Sequence, residues 1–221
     1  MLTLQTASLD WALAHVEAHG DTDVLPVPFE YEAIRHDWRT VRDYLAASDV
    51  TNWTVKPHRA LLSPKARYGF RVVTQLDSLD LLLFAATIHE IADDLEVRRV
   101  PIGSEVIFSH RVLKANNGQL FDPEVGYRSF LEACRDRLNG DPSLTYVATT
   151  DISDFYSRIY HHRLENALRS ATNRTNHVSA IMHLLSGWNG TDTFGIPVGN
   201  APSRVLAETQ FVQRGRGFVS K

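Results

Sequence analysis

Residues 146–168, YVATTDISDFYSRIYHHRLENAL, decide how the rest of the chain is read. A β-branched, apolar run ends at Asp151, and an aromatic pair and a helical pattern follow it. Tyr146 to Thr150 predict a buried strand, with the Asp151 carboxylate emerging at its C-terminal edge, where binding sites of such sheets gather. Asp154 suits the N-cap of a helix over 154–170. Phe155, Ile159, Leu164 and Leu168 fall on one helical face and read as core. A single aspartate at a strand end is also an ordinary cap or turn residue, and Tyr156 is also an ordinary half-buried helix tyrosine. Adjacent helical side chains point about 100° apart, so His161 and His162 do not share an ion and read as backbone-facing or surface groups.

Downstream, 195–208 reads GIPVGNAPSRVLAE. Two glycines permit close backbone approach or positive φ, and Pro197 and Pro202 stiffen the turn before a helix over 201–212. No Gly-Lys-Ser/Thr follows, so this is not a phosphate-binding Walker loop. By itself it also describes a rigid loop ahead of a helix.

Upstream, no acidic residue lies between Asp49 and Asp77, whereas Lys56, Arg59, Lys65, Arg67 and Arg71 do, interleaved with Trp53, His58, Tyr68 and Phe70. Cations among aromatics suit phosphate neutralisation and base stacking, although a solvated basic loop has the same composition. The net charge of −3 gives no global sign of a nucleic-acid partner.

Taken together and in this order, the segments resemble bacterial reverse transcriptases, the retron and phage-defence lineages above all. Asp-Ile-Ser-x-Phe-Tyr-x-x-Ile-Tyr-x-His-x-Leu at 151–164 is similar to their first palm motif, and Gly-Ile-Pro-x-Gly-x-x-x-Ser at 195–203 to their second. Residues 68–96 and 107–112 are similar to the fingers. The resemblance implies right-hand polymerase fingers with an incomplete palm, a helix-rich α/β (α+β) fold. It further implies magnesium, with manganese as an alternative, held by the Asp151 carboxylate and the Ile152 carbonyl. Tyr156 would exclude a ribose 2′-OH; Arg71, with Lys65 or Arg67 as a second contact, would grip the triphosphate. Val198 and Gly199 would meet the incoming dNTP, and Pro197, Gly199 and Ser203 the template. The implied partners are an RNA template, a DNA or protein primer, and dNTPs, and the lineage implies a role in antiviral defence.

The Tyr-x-Asp-Asp hairpin of that family does not follow the second motif. Asp93-Asp94 is a carboxylate pair but lies upstream and reads as solvated charge at a helix end. The tail after Glu208 therefore reads as a truncated or frameshifted end, and no turnover is expected from this chain alone. A non-catalytic nucleic-acid-binding remnant is the alternative, and a small phosphohydrolase built on Asp151, Asp154 and His162 a more distant one.

The remaining pattern predicts a helical extension over 1–50, a fingers-like region over 51–140 and a partial palm over 141–221. Helices are expected at 8–19, stopped by Gly20, and at 30–47, where Tyr31, Ile34, Trp38, Val41 and Leu45 share a face. Extended pieces are expected within 53–75, then a mostly buried helix capped by Asp77 or Ser78. Strand-like segments follow near 97–113, then an amphipathic helix over 126–140 and another over 174–187. No apolar run approaches the roughly 18 residues of a membrane span. A lone cysteine, Cys134, and an N-terminus without a basic leader suit the reducing cytoplasm.

Overall fold

Periodicity fixes most of the elements. In the computed structural model, which describes residues 1–66 and 68–215, α1 (Thr6–His19), α2 (Glu30–His36) and α3 (Trp38–Ala47) come first. The hairpin β1 (Arg59–Ala66) and β2 (Gly69–Gln75) follows, then α4 (Ser78–Val97) and α5 (Tyr127–Gly140). The chain continues as α6 (His161–Ala171), α7 (Thr175–Asn189) and α8 (Ala201–Gly215). The described residues thus form a helix-rich α+β fold whose only sheet is one antiparallel pair.

Helix α4 is the axis. Leu82, Leu83, Phe84, Ile88 and Ile91 are wholly enclosed, each burial stabilising the fold by about 1.5–3 kcal/mol. Asp77 caps the helix by accepting the Leu79 N–H at 3.1 Å. Helices α1, α6, α7 and α8 pack against α4, so one continuous core runs from Leu2 to Ala207. The expected N-terminal extension contributes Leu9, Val16 and Leu45 to that same core. Between α4 and α5, Arg99 is clamped by Glu96 at 3.0 Å and Glu208 at 2.9 Å, which fastens α8 to the loop after α4.

Several expectations change. The chain is not stranded over 145–152: these residues are irregular and exposed, with Tyr146 at 93% and Val147 at 71% of full exposure. Tyr, Val, Thr and Ile favour a strand only where a ladder partner satisfies their backbone groups, and among the described residues none pairs with them. The sheet expected over 141–221 is accordingly missing among them; Tyr160 and Phe194 form an isolated bridge instead. Asp154 does not cap a long helix. Its φ is +53°, a short 3-10 turn spans Tyr156–Arg158, and α6 begins only at His161, whose N–H donates to the Thr193 carbonyl at 2.9 Å.

The helix expected over 30–47 is broken at Asp37, and α1 starts ahead of Ser8, which lies buried within its first turn. The 97–113 stretch contributes one bridge, Val112 to Phe121, and is otherwise without strand pairing. Arg67 lies outside the described residues. No helix among them is long and apolar enough to cross a membrane.

Candidate functional site

The turn at 195–200 is held on three sides by backbone hydrogen bonds. On one side Gly195 donates to the Ile159 carbonyl at 2.8 Å and Ile196 to the Tyr156 carbonyl at 3.1 Å. The buried His161 donates from Nε2 to the Gly195 carbonyl at 2.7 Å, while His162 faces solvent. On the second side the Val198 carbonyl accepts the Thr74 N–H of β2 at 2.8 Å. On the third the Gly199 carbonyl accepts the Asp23 N–H at 3.1 Å, from the loop after α1. Gly199 has φ +108°, and a Cβ there would stand 3.0 Å from Val73 Cγ1. Both facts restrict this position to glycine.

These bonds draw four of the sequence-selected residues around one open pocket of about 330 Å³: Arg71, Tyr156, Val198 and Gly199. Asp23, Val24, Val73, His110 and Arg204 complete its wall. Arg71, on β2, is exposed and has no ion-pair partner among the described residues. Arg204, in the first turn of α8, is paired with Asp23 at 2.7 Å. Burial pushes the Tyr156 phenol up from its ordinary value, so it stays a neutral hydroxyl. Burial, followed by the charges of Arg204 and Arg99, lowers His110 to about 4, so the imidazole is neutral at pH 7. The pocket therefore carries two guanidinium groups against one carboxylate, a balance that favours an anionic ligand.

The other candidates lie elsewhere. Lys65 is exposed on β1 and does not line the pocket. Asp151 and Ile152 are exposed in the irregular segment before the Tyr156 turn and are not part of its wall either. Pro197 is buried. Ser203 is wholly buried, its Oγ without a hydrogen-bond partner among the described residues, so the template contact expected of it has no open approach. Asn200 Oδ1 accepts the Ser203 N–H at 3.0 Å and thereby caps α8.

Among the described residues no three His, Cys, Asp or Glu side chains gather as a metal site. Asp154, the nearest acidic residue in sequence to Asp151, faces Arg158 at 3.7 Å. One carboxylate and one carbonyl do not make a two-ion centre.

Sequence reasoning missed Asp23, His110 and Arg204. Arg204 directly follows the Gly-Pro motif and had a signal in its position. Asp23 and His110 sit in loops without periodicity, and only tertiary packing brings them in. No protein-family model matches this chain, and no curated protein does.

Proposed function

We propose that the pocket between β2, the Tyr156 turn and the 195–200 turn binds a deoxynucleoside triphosphate, in a protein of the reverse transcriptase type. The reaction of that type is template-directed nucleotidyl transfer assisted by magnesium. The observation that carries the reading is convergence. Arg71, Tyr156, Val198 and Gly199 were selected from three separate stretches by resemblance alone, and all four border the same cavity. Within it Arg71 would take phosphate oxygens through its planar fork, Tyr156 would stand against the sugar, and the Val198–Gly199 backbone would lie under the base. Asp151 and the Ile152 carbonyl, the oxygens that the resemblance assigns to magnesium, lie outside the pocket wall, so the reading of the pocket rests on its other residues.

A second reading is favoured by a specific observation. On the hairpin, Phe70 and Tyr68 are 66% and 86% exposed beside Arg71 and Lys65. Exposed aromatics among cations suit single-stranded RNA held without turnover.

Calorimetric titration with dATP and magnesium tests the first reading. The wild-type chain is expected to bind, and Arg71→Ala to weaken binding by about tenfold or more, the scale of one charge-assisted contact. Salt-dependent binding of single-stranded RNA with no dATP binding would replace the first reading with the second.

A further inference from the structure

Asp23, Gly199 and Arg204 border two cavities at once. On one side lies the pocket of about 330 Å³; on the other lies a second of about 240 Å³, walled by His15, His19, Asp21 and Asp122 among others. The Asp23–Arg204 ion pair, at 2.7 Å, stands between a cationic chamber and a carboxylate-rich one. Asp23 is pinned there through its main chain, since its N–H is bonded to Gly199. Its carboxylate is 46% exposed and the Arg204 side chain 23%, so both remain open to exchange of partner.

We infer that Asp23 is a built-in competitor for the phosphate-binding arginine Arg204, occupying it in the free protein and yielding it to a polyphosphate ligand. The inference rests on the nucleotide reading of the pocket. A guanidinium already bonded to a carboxylate is preorganised and neutralised together. An entering phosphate takes over its N–H donors and leaves Asp23 to solvent and to the second cavity. The pocket then gains a second cation only when a ligand of sufficient negative charge displaces the first anion. That selects triphosphates over less charged analogues, because an anion too weakly charged to displace Asp23 goes without the Arg204 contact that a triphosphate gains. No covalent step is involved.

The test uses the full chain titrated with inorganic tripolyphosphate and, separately, with dATP and magnesium. Asp23→Asn keeps the backbone bond and the size of the side chain, and is expected to tighten both ligands by about tenfold. Asp122→Asn, on the far cavity, removes a charge without freeing Arg204 and is expected to change affinity less than about twofold. Adding Arg204→Gln to Asp23→Asn is expected to erase the gain. In the wild-type chain, the carboxyl carbon resonance of Asp23 is expected to move to the position of a solvated carboxylate at ligand saturation, a readout that needs no variant.

Binding by the wild type with no gain in Asp23→Asn, or an unmoved Asp23 resonance at saturation, overturns the competition while leaving the pocket reading intact. Failure of both proteins to bind either ligand overturns both.

Discussion

The carbonyl of Val198 accepts the Thr74 N–H at 2.8 Å, so the Gly-Pro turn covers part of the edge of β2 that β1 leaves unpaired. Closing a sheet edge with a turn satisfies backbone that would otherwise stay open, and it requires the turn to approach closely. Gly199 is where that approach is tightest.

Gly199→Ala must adopt φ +108° and place its Cβ 3.0 Å from Val73 Cγ1. Gly190 also has positive φ, +61°, but nothing lies within 4 Å of a Cβ there. Gly190→Ala, at φ +61° and ψ −109°, should therefore cost about 2 kcal/mol from backbone strain alone. Gly199→Ala should cost about 1 kcal/mol more than Gly190→Ala and lower the melting temperature by about 2–4 °C further. It should also weaken dATP binding, because Val73 and Gly199 share the pocket wall. Equal melting shifts for the two variants would show that the turn is not confined by β2.

Asp80, wholly buried in the first turn of α4, accepts Trp53 Nε1 at 2.7 Å, the Lys56 N–H at 2.9 Å and Trp188 Nε1 at 3.1 Å. It ties the segment before the hairpin and the end of α7 to the central helix. Asp80→Asn keeps the shape but turns one acceptor into a donor facing a donor. A loss of about 2–4 kcal/mol in urea unfolding is expected, and Asp80→Ala should cost no less. A change below about 0.5 kcal/mol would mean that the three donors find other partners.

How much of this was legible in the sequence follows from which interactions are local. A period near 3.6 located the helices, and Gly20 and Asp77 marked a stop and a cap, because those signals depend on neighbours in sequence. The run Tyr146–Thr150 misled for the opposite reason: strand preference is realised only against a partner strand. Asp80 gave no sign of its role inside an apolar helix, since its donors come from residues 53, 56 and 188. The pocket divides in the same way. Arg71, Tyr156, Val198 and Gly199 sit in motifs that resemblance could find, whereas Asp23 and His110 enter from loops whose position is set by packing alone.

Acid should destabilise the fold through its enclosed imidazoles. His15 is 6% exposed, stacked on Trp11 with ring centroids 5.2 Å apart, and Nδ1 lies 2.6 Å from the Gly118 carbonyl. Burial lowers it to about 4, against the upward pull of that carbonyl, so Nδ1–H donates from a neutral ring. The unfolded chain protonates this histidine near 6.5 and the folded chain only near 4. Between those values the unfolded state holds more protons, so stability falls as pH is lowered from about 6.5 towards about 4, by up to roughly 3 kcal/mol for this residue. His89 and His110, also lowered to about 4, act in the same direction. Burial raises the Asp21 and Glu208 carboxyls, which opposes the histidines at the acid end of the range. Urea midpoints measured from pH 7 to 4.5 should decline, and His15→Gln should flatten the decline. An unchanged slope in that variant would assign the pH dependence elsewhere.

Tyr156 offers the sharpest test of selectivity. Its backbone carbonyl is bonded to Ile196 at 3.1 Å and its ring stands edge-on to Phe155, centroids 6.0 Å apart, so the side chain is held from both ends. A half-buried ring fixed in a pocket wall discriminates by occupying volume, and a ligand bearing one extra hydroxyl at that place must displace it. The wild type should bind dATP at least about tenfold more tightly than ATP, a difference of about 1.4 kcal/mol. Tyr156→Phe should keep the ratio, because the phenol oxygen is not the obstacle. Tyr156→Ala should bring it close to one, chiefly by strengthening ATP binding. If the alanine variant instead weakens both nucleotides equally, the ring is only a packing wall and the sugar does not lie against it.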